Sequence, residues 1–252
     1  TPNNKYKRVI VSPVKNQGTC GCCYAFAAGS LLESSYAKTH NITLISIVYI
    51  LSCFYNEFYC VCCDGGLTYY LIKDIINNND PQVISQKLED AYNYSYFLNN
   101  CSDCSAKNNC KKICDIKKDI KISEAPQLVK GIDKYTLDFI PGLPSFPIGW
   151  ASSKDMIQTL ENDGPMSVNI NGTCLQHYAG GIIVNNYNIK KSTDIYPINS
   201  TNHTVIIVGY NYTKKYWIVQ NSWGKDWGHN GIFYVSSETN NIKPDGLINN
   251  SL

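Results

Sequence analysis

No apolar run in this sequence reaches the roughly 18–20 residues that a bilayer-spanning helix needs. The most apolar stretch, Leu44 to Leu51, is short and carries Ser46, so it reads as buried core. Blocks of like charge are missing too, and the formal net charge is only +2. Nothing in that balance points to nucleic acid, and no charged tail is present. No secretory leader stands at Thr1, so a secreted or vesicular form is expected to have lost its targeting segment or to begin after it. Internal repeats are absent. Histidine is scarce, with four in 252 residues and none between His40 and His177.

Cysteine, by contrast, is abundant. The twelve are Cys20, Cys22, Cys23, Cys53, Cys60, Cys62, Cys63, Cys101, Cys104, Cys110, Cys114 and Cys174. That number points to an oxidising compartment and several disulfides. The C-x-x-C pairs Cys60/Cys63 and Cys101/Cys104 also have the spacing of a structural zinc site. Their irregular setting favours disulfides over metal. Hydrophobic residues make up 44% and charged residues 17%, an ordinary globular balance. The chain is long enough for one large domain or two small ones. Asparagine is frequent, and N-x-S/T sequons begin at Asn41, Asn93, Asn100, Asn171, Asn199, Asn202, Asn211 and Asn249. The sequon at Asn202 adjoins a candidate base, and we expect it to be unused.

Hydrophobic periodicity predicts helices first and strands later. Ala25, Phe26, Ala28, Leu31, Leu32 and Tyr36 recur at helical spacing, which predicts a long buried helix from Cys23 to about Lys38. Shorter helices are predicted over 44–53, 67–77 and 154–162. Stretches rich in Val, Ile, Tyr and Phe predict strands over 166–170, 181–184, 204–210, 215–220 and 231–236. Residues 53–66 read as a stapled loop and 141–149 as a connection. The order implies an α+β protein, or a helical half packed on a β half.

A nucleophilic thiol needs a depressed pKa, a base within reach and donors for a developing oxyanion. The free N–H groups and dipole at a helix N-terminus favour a thiolate. Cys23 has that position, with Cys20 and Cys22 just outside the helix. Of the histidines, His40 closes the first helix, His177 precedes a Gly-Gly turn and His229 lies in a Gly-rich loop. His203 precedes an apolar strand, a rigid platform from which a base can project.

The run Pro13-Val14-Lys15-Asn16-Gln17-Gly18-Thr19-Cys20-Gly21-Cys22-Cys23-Tyr24-Ala25-Phe26 resembles the active-site segment of papain and the cathepsins. Asn202-His203-Thr204 leading into Val205–Tyr210 is similar to the family's base segment. Tyr216–Gly224, continuing to Trp227-Gly228 and Gly231, is similar to its Asn-Ser-Trp-Gly segment. Cys63-Asp64-Gly65-Gly66 resembles its substrate-binding glycines. The four occur in the family's order.

The resemblance implies a papain-like fold. A helical half over 12–125 carries the nucleophile, a β-rich half over 126–252 carries the His/Asn pair, the cleft lies between them, and residues 1–11 pack on the β-rich half. It implies a cysteine endopeptidase in which Cys23 attacks, His203 is its base, Asn221 orients the imidazole and Gln17 donates to the oxyanion. Trp223 would shield the Asn221–His203 bond. Gly65 and Gly66 would leave backbone open to an extended peptide, with Thr204 near the specificity pocket. The same resemblance pairs Cys20 with Cys63, and Cys101 with Cys53 or Cys60. That chemistry needs no metal and no organic cofactor. The partners implied are peptide or protein substrates, the family's propeptide and cystatin-like inhibitors, acting on a monomer. The sequence lacks the inhibitory propeptide and so is expected to be a mature form or a trimmed piece of a longer chain. The setting implied is the secretory pathway, a lysosome- or vacuole-like acidic compartment, or the extracellular space.

Three departures stand out. Cys22 occupies the place of the usual Ser or Ala; a vicinal disulfide with Cys23 would be strained, and burial against the opposite wall is the alternative. Asn202 stands where papain has Asp. The 180 residues from Cys23 to His203 exceed the roughly 130–150 of the family pattern, implying insertions near 102–125 and 185–201. The missing histidines between His40 and His177 argue against a dipeptidase mechanism of the cathepsin B type. The rival reading is a catalytically silent papain-like protein that binds peptides or a partner.

Overall fold

The computed structural model describes residues 11–37, 45–54, 61–78, 94, 153–170, 172–184, 202–237 and 248–249. Four α-helices fall within them: α1 (Cys23–Tyr36), α2 (Ile47–Cys53), α3 (Thr68–Asn78) and α4 (Ser153–Asn162). The strands are β1 (Met166–Ile170), β2 (Ile182–Ile183), β3 (His203–Asn211), β4 (Tyr216–Gln220), β5 (Ile232–Ser236) and β6 (Ile248–Asn249). They form one sheet in the order β2-β5-β4-β3-β1-β6. β2 and β5 run parallel; the other pairings are antiparallel. The architecture is α+β, as the sequence predicts. No helix among the described residues is long and apolar enough to cross a membrane.

Helix α1 is buried on nearly every side, from Cys23 through Ser30 and again at Leu32, Glu33 and Ser34. A helix apolar around its whole girth belongs in an interior, and α1 packs on α2 and α3 on one side and on β1 and β3 on the other. It stops at Tyr36, with Ala37 as its C-cap, slightly short of the predicted end. Helix α2 starts where the Ser46 hydroxyl accepts the Tyr49 N–H at 3.1 Å, satisfying an N-terminal donor that would otherwise lack a partner.

Two apolar clusters result. One joins α1, α2 and α3 through residues such as Phe26, Leu32, Tyr49, Ile50 and Leu71. The other joins α4 to the sheet through Leu160, Val168, Ile207, Trp217, Val219 and Phe233. Inward residues alternate with outward ones along β4 and β5, the period-2 signature of strands with one covered face. Segment 12–17 links the clusters: Ser12 N–H donates to Ser34 Oγ in α1, while Gln220 donates to the Ser12 carbonyl and Gln17 N–H to the Ser222 carbonyl. Strand β6 was not expected from sequence, and predicted strand 181–184 is paired only at Ile182 and Ile183. His40, the connection at 141–149 and the two insertions lie outside the described residues.

Candidate active site

Antiparallel pairing of β3 with β4 brings the start of one beside the end of the other, with Ile206 opposite Gln220. His203 opens β3 and Asn221 follows β4, so the two meet at one end of the sheet. His203 Nε2 lies 2.7 Å from Asn221 Oδ1. The same Oδ1 accepts the Ser222 N–H at 2.8 Å. An amide nitrogen in that place would face a second donor, so the oxygen assignment is chemically required. Nε2 must then carry the hydrogen, and in neutral His203 the bare acceptor is Nδ1.

The Trp223 ring stacks on the imidazole, with centroids 4.8 Å apart and planes 30° apart. Trp227 meets Trp223 edge-on at 5.2 Å and Phe233 at 5.7 Å, which anchors the stack in the β core. His203 is 7% exposed and Asn221 only 2%, so their hydrogen bond lies out of water. Burial lowers the His203 pKa, and the Asn221 bond opposes that shift.

Cys23 is the first residue of α1. Its N-cap, Cys22, offers no side-chain cap; the Cys22 carbonyl accepts the Ala25 and Phe26 N–H groups. Burial raises the Cys23 thiol pKa, and contacts with Thr204, then with the first-turn amides, work against it. Thr204 directly follows His203, which places thiol and imidazole on facing elements. Thr204 itself is 5% exposed, and its hydroxyl donates to Asn169 Oδ1 at 2.7 Å.

Gln17 is held at every polar group. Its N–H donates to the Ser222 carbonyl at 2.8 Å, and its carbonyl accepts Tyr94 Oη–H at 2.6 Å. Ser222 Oγ donates to Oε1 at 2.5 Å, and Nε2 donates to the Cys20 carbonyl at 2.8 Å. The amide nitrogen has two hydrogens; one is committed to Cys20.

Cys20 and Cys63 form a disulfide, as the resemblance implies. Gly21 N–H donates to the Cys63 carbonyl at 2.9 Å beside it. These links hold the Gly65-Gly66 segment against the head of α1. Gly66 lies on the Tyr24 ring so closely that a Cβ would stand 2.6 Å from it. Gly65 has φ +106°, and a Cβ there would meet nothing within 4 Å, so its face is open. Cys53 is disulfide-bonded as well, and so, separately, is Cys62. With Cys63 tied to Cys20, a zinc site built on Cys60 and Cys63 is ruled out. Cys101 and its pairing lie outside the described residues. Cys22 and Cys23 are both free thiols, so no vicinal disulfide joins them, and Cys22 is fully buried.

Two neighbours of the site carry no local sequence signal. Gly172 packs directly on His203, and Tyr94 grips Gln17 from a segment far along the chain. Asn202, where papain has Asp, accepts the Gly172 N–H at 2.8 Å through Oδ1, and its Nδ2 donates to Thr173 Oγ1 at 3.3 Å.

A family model described as papain family cysteine protease matches residues 3–248. The viral cathepsin of Choristoneura fumiferana nuclear polyhedrosis virus is 30% identical over 233 residues, covering 91% of this chain and 57% of the relative. Procathepsin L of Rattus norvegicus is 28% identical over 240 residues, covering 92% and 58%. The chain thus spans little more than half the length of these relatives. Among solved structures, digestive procathepsin L2 proteinase of Tenebrio molitor superposes with a TM-score of 0.62 at 23% identity, covering 96% of this chain and 64% of that one. Bromelain protease of Ananas comosus, solved with the E64 inhibitor, gives a TM-score of 0.59 at 24% identity, covering 94% and 89%. At these identities the likeness speaks for the fold alone.

Proposed function

Because this chain belongs to the papain family of cysteine proteases, we propose that it is a cysteine endopeptidase with Cys23 as nucleophile and His203 as base. The observation that carries the reading is the His203 Nε2–Asn221 Oδ1 bond, 2.7 Å long and stacked under Trp223. It fixes the tautomer that leaves Nδ1 as the base. Burial pushes the Cys23 thiol up and the His203 imidazole down, so neither charge is favoured alone. A proton passing from sulfur to Nδ1 creates both charges together, and the pair titrates as a unit.

The thiolate attacks the scissile carbonyl carbon, and the carbonyl π pair moves onto oxygen. The free Gln17 Nε2–H and the Cys23 backbone N–H meet that oxyanion. When the C–N bond breaks, the Nδ1 proton goes to the departing amine and an acyl thioester remains on Cys23. Water, deprotonated by His203, attacks the thioester and releases the acid. The open Gly65 face accommodates an extended peptide, while Trp223 borders the leaving-group side. Thr204, beside His203, is assigned to the family's specificity pocket on the resemblance alone. The absence of histidine between His40 and His177 favours endopeptidase over dipeptidase action.

The apolar clusters of helices and sheet support a division into halves over 12–125 and 126–252, with segment 12–17 bonded to both. The Cys20–Cys63 disulfide supports an oxidising setting, in the secretory pathway, an acidic vesicle or outside the cell. Protein substrates, a propeptide and cystatin-like inhibitors are the partners this reading assigns to a monomeric enzyme. All four catalytic groups are retained, so no observation favours a silent binding module. Hydrolysis of an internally quenched peptide, lost in Cys23→Ala and inhibited by a thiol-directed epoxide, is the expected result. A peptide left uncut by the reduced chain at every pH tested above about 4, where a papain-type paired thiol is already ionised, would overturn it.

A further inference from the structure

Cys22 and Tyr94 form a hydrogen-bond chain that ends on the residue holding the oxyanion donor. Cys22 Sγ is 3.1 Å from Tyr94 Oη, and Tyr94 Oη is 2.6 Å from the Gln17 carbonyl oxygen. A carbonyl oxygen only accepts, so the single phenol hydrogen is committed to Gln17. The phenol oxygen is then the acceptor toward Cys22, whose thiol is the donor. The chain reads S–H to O–H to O=C. Burial keeps its members protonated: the Cys22 thiol is pushed up to about 12, and the Tyr94 phenol is raised as well. The Tyr94 ring is held edge-on by Phe26 of α1, with centroids 5.1 Å apart and planes at 83°.

Gln17 is therefore gripped from two directions. Ser222, beyond β4, holds its N–H and Oε1; Tyr94 holds its carbonyl. An oxyanion donor works only if it is already placed where the negative charge develops, and a backbone free to tilt at Gln17 would swing Nε2 away. We propose that Tyr94, with its hydroxyl oriented by the Cys22 thiol, is a positioning residue for the oxyanion donor Gln17. This deepens the endopeptidase reading above and rests on it. Cys22 thereby acquires a function of its own, because its thiol donates to the Tyr94 oxygen whose hydrogen is turned to Gln17.

The test separates two reactions of one thiol. Peptide hydrolysis passes through an oxyanion; alkylation of Cys23 by iodoacetamide needs the thiolate but forms none. Tyr94→Phe removes one oxygen and keeps the ring on Phe26. It should lower kcat on a peptide amide about tenfold, the alignment of roughly one hydrogen bond, and hold KM within about twofold. The rate and pH profile of Cys23 alkylation should stay as in the unmodified chain. Cys22→Ala should lose part of kcat, and Cys22→Ser, which keeps a donor, should recover most of that loss. On a Gln17→Ala background Tyr94→Phe should cost nothing further, since residues acting through one group are not additive. Unchanged kcat in Tyr94→Phe overturns the proposal. So does a parallel fall of kcat and alkylation, or a second tenfold loss on Gln17→Ala. Failure of the protease reading itself is distinct: the unmodified chain would hydrolyse no peptide, and the proposal would fall with it.

Discussion

Gly172 lies against His203 so closely that a Cβ in its place would stand 2.7 Å from His203 Cβ and 3.1 Å from Cγ. The contact is between the short 3-10 loop Gly172–Leu175 and the imidazole proposed as base. That loop is tied in turn by the Gly172 N–H bond to Asn202, the residue before His203. Gly172→Ala must therefore push the imidazole or the loop aside. Misplacement of a reacting group by ~1 Å can cost about 100-fold. We expect kcat to fall by roughly that factor while circular dichroism and the melting temperature stay near the unmodified values.

Asn221 fixes the His203 tautomer by accepting from Nε2. In Asn221→Ala the imidazole is free to rotate and to carry its hydrogen on Nδ1, which disables it as a base. Peptide turnover should fall about 10²-fold or more, within the usual share of general acid–base catalysis. Alkylation by iodoacetamide should fall too, because thiolate formation needs the same base. Kinetics run side by side on both reactions check this, and contrast with the behaviour expected of Tyr94→Phe.

Lys15 and Glu33 form an ion pair 2.6 Å long, with the Glu33 side chain wholly buried. Glu33 also accepts from the Ser12 hydroxyl and the Ile45 N–H, so it ties segment 12–17 and the start of α2 to the central helix. Lys15→Met leaves a buried carboxylate without its cation. Removing one partner of such a pair costs about 3–5 kcal/mol. Chemical denaturation of Lys15→Met should read a loss in that range.

Cys22 makes a pH prediction. Its thiol is raised to about 12 in the folded chain from an ordinary 9.0. Above pH 9 the unfolded chain has lost this proton and the folded chain has kept it. The unfolded state then binds fewer protons, so stability falls as pH rises. The contribution is complete below pH 9 and lost on the way to pH 12. Cys22→Ser should flatten the alkaline decline in melting temperature from about pH 9 upward, because a serine hydroxyl does not titrate there.

The elements that define the fold were legible because each buries one face with its own period. The helical spacing of Ala25, Ala28, Leu32 and their neighbours marked α1, and richness in Val, Ile, Tyr and Phe marked β4 and β5. Cys23 was legible from the helix start it occupies. The disulfide of Cys20 with Cys63 came from the family resemblance, since twelve cysteines leave too many pairings. Gly172 and Tyr94 were not legible. Their importance lies in contacts across about 30 and 77 residues of chain, and local periodicity carries no record of such contacts. Two-residue strands such as β6 have no pattern to read.

The most direct test of the account is active-site labelling of the reduced chain with a thiol-directed peptidyl epoxide, followed by mapping of the adduct by mass spectrometry. The account predicts one adduct, on Cys23, with a rate that follows a single pH-dependent step and disappears in His203→Ala, while buried Cys22 stays unmodified. An unlabelled Cys23, labelling that prefers Cys22, or a rate indifferent to His203 would contradict it.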